Sequence, residues 1–163
     1  MNIEQELARV ALQERHLRFA TVAPQLPWQL GERIRQIAAA RGLALAIEVR
    51  LARDTVFYYA MPGTAPNNAE WVRRKRNTVE LMQQSSYAVG LALEGEGMTL
   101  EQKSGAALKD YATHGGSFPL LLDGAGCIGA VTVSGATGLE DHAVVVEALA
   151  ALLGDAPEHE TPG

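Results

Sequence analysis

The sequence predicts one α+β domain, a central antiparallel sheet flanked by helices. Three observations predict it. Apolar residues switch between the 3.6-residue period of helices and the 2-residue period of strands, with no internal repeat, heptad run or interdomain linker. Two pairs of strand-like runs are each joined by a short turn, at Arg53-Asp54 and at Asp123-Gly124-Ala125-Gly126. The chain has 163 residues, 47% of them hydrophobic, enough to bury a core without a disulfide or metal staple.

The elements run in order along the chain. Ile3, Leu7, Val10 and Ala11 stand at helical spacing over residues 3–15. A second helix follows Pro27, with Leu30, Ile34, Ile37 and Ala38 as its stripe and Gly42 suited to its C-terminal cap. Leu43, Leu45, Ile47, Val49 and Leu51 then alternate as a half-buried strand, and the β-branched and aromatic run Thr55–Tyr59 returns beside it. Met61–Asn68 is a loop. Asn67 and Glu70 have capping-box spacing, which predicts a helix running to about Gln84 with Trp71, Thr78, Val79 and Met82 on its apolar face. Residues 85–97 are short and broken by glycine, with no clear period. A brief helix is expected over 104–111. Strands at 118–122 and 127–134 form a second hairpin, and a helix over 141–153 closes the domain with Val144, Val145, Ala148 and Leu152 on one face.

Composition excludes several classes. The net charge of −5 argues against a general nucleic-acid or anionic-membrane binder. One cysteine, Cys127, excludes an internal disulfide framework and a Cys-based zinc site, and its apolar strand suits a buried, inert thiol. No apolar run approaches the length of a membrane span, and the acidic start lacks the basic, apolar pattern of a signal peptide. A cytoplasmic protein is expected. Residues 154–163 read as a frayed tail. Phosphate-loop, dinucleotide, zincin and nucleophile-elbow motifs are absent, and His16, His114, His142 and His159 show no metal-ligand spacing.

Three places depart from a plain core-and-surface pattern. Lys75 lies on the apolar helix face, either laying its stem along the core with its ammonium at the rim or held at a pocket mouth to bind a carboxylate, on a ligand or on Asp141. Arg73, Arg74 and Arg76 read as a solvated or subunit-facing surface. His114-Gly115-Gly116-Ser117-Phe118-Pro119 can be a tight entry into a strand or a small anion-binding concavity of backbone N–H groups. His114 itself is either a hydrogen-bonded structural histidine or a titrating, metal-binding one. Ser134-Gly135 followed by Glu140-Asp141-His142 is explained by helix capping, or else lines a polar pocket at the end of a sheet. A catalytic triad is excluded there, because adjacent side chains on a helix diverge by about 100°.

Taken together, these motifs resemble the UPF0303 family. Met61-Pro62-Gly63-Thr64 through Asn68, Trp71-Val72-Arg73-Arg74-Lys75 and Ser85-Ser86-Tyr87 are similar to its centre. His114 to Pro119, and Gly129 to Gly135 with Glu140-Asp141-His142, are similar to its C-terminal blocks. The resemblance spans about residues 3–153. Pro66-Asn67-Asn68 stands where the family usually has Pro-Asp-Asn, which removes a carboxylate from that loop, and Ser134-Gly135-Ala136 stands where it usually has Ser-Gly-Leu.

UPF0303 proteins are similar to a wider GlcG-like and HbpS-like haem-degrading group. The resemblance implies a profilin-like single domain over 1–153 that assembles into dimers or larger homo-oligomers. It implies haem or tetrapyrrole binding or degradation, without covalent attachment. The implied ligand-binding residues are Lys75, His114, Gly115, Gly116, Ser117, Phe118, Ser134, Asp141 and His142, with Lys75 pairing a propionate and His114 or His142 ligating iron. Eukaryotic members are associated with delivery of tail-anchored membrane proteins. Two other functions are expected as alternatives: a non-enzymatic homo-oligomeric scaffold, and an enzyme acting on an organic acid held by Lys75 and the Gly115-Gly116 turn.

Overall fold

Residues 2–154 are described by a computed structural model. Helix α1 (Ile3–His16) starts where the Asn2 side chain accepts the Gln5 N–H at 3.1 Å. It leads into β1 (Arg18–Phe19) and α2 (Leu26–Ala40), with Pro27 in the first turn of α2 and Gly42 at φ +69° just past its end. Strands β2 (Ala46–Leu51) and β3 (Asp54–Ala60) come next. Their two-residue turn is Ala52-Arg53, not Arg53-Asp54. Both turn residues have positive φ, the backbone that matches the twist of a tight hairpin. Then come α3 (Pro66–Met82), α4 (Ser86–Glu96), α5 (Leu100–Ser104), β4 (Ser117–Leu122), β5 (Gly126–Ser134) and α6 (Gly138–Gly154). Gly154 belongs to α6. The remainder of the expected tail lies outside the described residues.

The sheet order is β1-β4-β5-β2-β3. Its four long strands are antiparallel, as expected, while the two-residue β1 adds a parallel edge beside β4. Two residues are too few to show a period, so β1 escapes a sequence reading. Helices α2 and α6 cover one face. Leu30, Ile34 and Ala38 of α2 and Val144, Val145, Ala148 and Leu149 of α6 pack on Ile47, Val49, Phe118, Leu120, Val131 and Val133. Alternation along the strands sends Glu48, Arg50, Thr132 and Ser134 to the other face, against α3.

Three local expectations change. Residues 86–96 form α4, whose Ser86, Ala88, Val89, Leu91 and Leu93 are all buried, so it lacks the one-sided stripe of a surface helix. The Ser85 hydroxyl accepts the Ala88 N–H at 3.1 Å, and the Glu14 carboxylate accepts the Ser85 N–H at 2.7 Å. The helix expected over 104–111 is instead α5, opened by the Thr99–Gln102 capping box and ended by Gly105 at φ +74°. Beyond it, residues 106–113 form a strap tied to α3. Arg74 donates to the Leu108 carbonyl, Arg73 to that of Lys109, Asn77 to that of Asp110 and the Thr78 hydroxyl to that of Ala112. Finally, α3 begins at Pro66. The Asn68 side chain, not that of Asn67, accepts the Ala65 N–H at 2.9 Å.

Candidate functional site

The site forms where β5 ends, β4 begins and the first turn of α6 meets the middle of α3. Helical spacing turns Val72, Lys75, Thr78 and Val79 inward, while Trp71 lies beside that face, half-buried. Lys75 therefore does not reach the rim. It is 2% exposed, and its ammonium donates to Asp141 Oδ2 at 2.9 Å and to the Val133 carbonyl at 3.1 Å. The other carboxylate oxygen of Asp141 accepts the Ala136 N–H at 3.0 Å, and the Gly135 N–H also serves the carboxylate. Burial pushes the ammonium down and the carboxyl up, and each charge opposes the shift of the other. Of the alternatives open to Lys75, the fold adopts the one in which it meets Asp141.

The Gly115-Gly116 turn is a close-packed wedge rather than an open anion concavity. Gly116 has φ +135°, and a Cβ there would sit 2.6 Å from the Val133 carbonyl and 2.8 Å from the Lys75 ammonium. Gly115 packs on the Gly138 carbonyl. Ser117 and Phe118 continue into the interior. The Ser117 hydroxyl is 2.8 Å from that of Thr132, its N–H donates to the Ser86 hydroxyl, and Phe118 is fully buried.

Asp141 and His142 diverge. His142 points away from Lys75, 2% exposed, with Nε2 2.7 Å from Gln13 Oε1 and its ring against Tyr87 and Phe118. Burial, aided by Arg9, lowers its pKa to about 4. His114 is exposed, its ring edge-on to Trp71 at 5.0 Å between centroids. Partial burial and the Lys75 and Arg74 charges lower its pKa, so its imidazole is neutral at pH 7.

Two clefts meet at His114 and Gly138. One, about 290 Å³, is lined by Tyr87, Leu91, Leu139 and Glu94. The other, about 260 Å³, is lined by Lys75, Ser134, Gly135, Trp71, Asn67 and Asn68. Of the expected residues, Lys75, His114, Gly115 and Ser134 line these clefts. Gly116 and Asp141 support them from behind, and Ser117, Phe118 and His142 belong to the interior. Trp71, Asn67 and Asn68 are legible in the sequence only as helix face and cap, since nothing in their spacing marks a cleft. The arginines are not a free surface. Arg76 pairs with the buried Glu48 at 3.1 Å, Arg73 with Glu70 and Asp110, and Arg74 stacks over Trp71 at 4.6 Å. Cys127 is half-buried rather than buried, and burial pushes its thiol pKa up.

A five-stranded sheet with helices on both faces and a cleft at the strand ends defines the class, a single α+β domain. The chain belongs to the family "Haem degrading protein HbpS-like", whose model matches residues 23–150, and its curated relatives are UPF0303 proteins. A UPF0303 protein of Azotobacter vinelandii (strain DJ / ATCC BAA-1303) is 51% identical over 153 residues, covering 94% of this chain and 92% of that one. One of Sinorhizobium medicae (strain WSM419) is 50% identical, with 94% of each chain covered. Among solved structures, Ybr137w superimposes with a TM-score of 0.85 at 26% identity, covering 93% of this chain and 90% of that one. A PduOC:heme complex superimposes at 0.70 with 20% identity, covering 80% and 94% respectively, which shows a common fold. No helix among the described residues is long and apolar enough to cross a membrane.

Proposed function

We propose that the protein binds haem or a related tetrapyrrole non-covalently across the two clefts, with His114 presented to the iron. The observation that carries this reading is the exposed His114 imidazole at the junction of the two clefts. The family match and the haem complex of a structural neighbour support it. The residues fit the group. Tyr87, Leu91 and Leu139 offer apolar surface to a macrocycle, the ring nitrogens of His114 take no hydrogen bond among the described residues, and Trp71 orients the imidazole. Bound haem would supply an iron able to take a further small ligand. His142 has no part in ligation, because its ring is enclosed by Tyr87, Phe118 and Gln13. Haem titration followed by absorbance tests the reading. Saturation at one per chain is expected, and His114→Ala should weaken it at least tenfold. Absence of saturable binding would overturn it.

A separate observation favours a homo-oligomeric scaffold as the second reading. Among the described residues strand β3 pairs only with β2, leaving its outer edge of backbone groups open, and its Val56, Tyr58 and Tyr59 side chains are exposed, with no charge from Thr55 to Ala60. Such an edge invites antiparallel pairing with a second copy. Light scattering should show an oligomer at micromolar concentration that Tyr58→Lys reduces in size. A monomeric wild-type protein would remove this reading.

A further inference from the structure

We propose that the polar cleft is a carboxylate-binding site formed by Ser134, Asn67, Asn68 and the remaining N–H of Lys75. Two independent observations carry it. Ser134 is 4% exposed and lines the cleft, yet its hydroxyl makes no hydrogen bond among the described residues. His142 Nδ1 being the one enclosed unpartnered side-chain nitrogen or oxygen among the described residues, the Ser134 oxygen is open to the cleft, where a ligand atom can complete its hydrogen bonding. Lys75 also lines the cleft and, among the described residues, spends two of its three N–H bonds, on Asp141 and Val133.

The surroundings favour an anion. The first turns of α3 and α6 both border the cleft, bringing two positive helix ends together. The Asp141 carboxylate is compensated by Lys75 and by the amides of Gly135 and Ala136, so it does not repel a ligand as a free charge would. Asn68 uses its side-chain oxygen on Ala65 and keeps its amide N–H groups, while Asn67 adds a neutral amide at the mouth. About 260 Å³ admits a carboxylate group with a short body but not a macrocycle. The carboxylate can come from a free small organic acid or from a tetrapyrrole propionate. In the second case the inference rests on the function proposed above, and in the first it does not.

The test titrates the full chain with acetate and with succinate, following the backbone amide resonances of residues 134–138. Haem and its dimethyl ester, in which both propionates are blocked, are titrated in parallel. Saturable shifts with either acid, weakened about fivefold by Ser134→Ala and about tenfold by Asn67→Asp, assign a free acid. Tight haem binding lost on esterification, with the same dependence on Ser134 and Asn67, assigns the propionate. Both variants preserve the Lys75–Asp141 pair, so loss of fold does not imitate loss of binding. If neither acid saturates and haem and its ester bind alike, the carboxylate site is overturned while the His114 reading stands. Acid binding without haem binding supports the carboxylate site and overturns the His114 reading. Binding that is indifferent to both substitutions overturns the site.

Discussion

The two faces of the sheet are built on opposite principles. Beneath α2 and α6 the strands present Ile47, Val49, Phe118, Leu120, Val131 and Val133, an apolar surface that needs only shape to be stable. Beneath α3 the same strands present Glu48, Arg50, Thr132 and Ser134, matched by Arg76 at 3.1 Å from Glu48 and by Glu80 at 3.1 Å from Arg50. Period-2 alternation makes the split unavoidable once both faces are covered. This division decides where chemistry can reside. An apolar face closes on itself, whereas a polar face must satisfy each donor and acceptor, and at the strand ends Ser134 and Lys75 retain capacity that no described residue fills. The clefts open at that end.

The polar face is most vulnerable at Lys75. Lys75→Met should destabilise the fold by about 3–5 kcal/mol, because it leaves the Asp141 carboxylate buried without its cation. Val131→Ala, directly on the apolar face, should cost about 2 kcal/mol through a cavity alone. Pairing Lys75→Met with Asp141→Leu should recover most of the larger loss, since apolar substitutes for both partners remove the uncompensated charge. Urea denaturation of the three variants measures this. A Lys75→Met protein no less stable than Val131→Ala would mean that the polar face is held by packing, like its opposite.

The apolar face is the legible one. Leu30, Ile34 and Ala38, and Val144, Val145 and Ala148, advertise their burial by spacing, β2 alternates, β3 and β5 are rich in β-branched or aromatic residues, and β4 is a short apolar run. The polar face is legible only in part. Lys75 stands out as a cation among apolar neighbours, but the choice between rim, ligand and Asp141 depends on a contact 66 positions away along the chain. The strap over 106–113 escapes a local reading because its order comes from Arg73, Arg74, Asn77 and Thr78, long-range donors that no local period records. Helix α4 hides for the converse reason: burial on most of its sides erases the stripe. Gly115-Gly116 signals a close approach correctly in kind, but sequence cannot say whether a ligand or the protein's own backbone makes it.

His142 probes the same division from the other side, as a titratable group set among apolar and aromatic neighbours. With the Nε2 proton given to Gln13, Nδ1 is a bare lone pair and, among the described residues, the one buried side-chain nitrogen or oxygen without a hydrogen bond. Protonation there would place a charge between Tyr87, Phe118 and the Arg9 side of α1 with no acceptor to receive it. The folded pKa of about 4 lies below the ordinary value of 6.5, so the unfolded chain binds the extra proton first. Stability from this residue is therefore complete above about pH 6.5 and falls as the pH drops toward 4. The loss should be about 2 kcal/mol between pH 7 and pH 5 and about 3 kcal/mol in full. His142→Phe keeps an aromatic ring in place and should remove that part of the slope, while Asp141 and the clefts around His114 stay intact. Denaturation midpoints of both proteins at pH 7 and pH 5 give the difference directly. Identical slopes would mean that the enclosed end of α6 tolerates a charge, and that the two sides of the site differ in shape rather than in solvation.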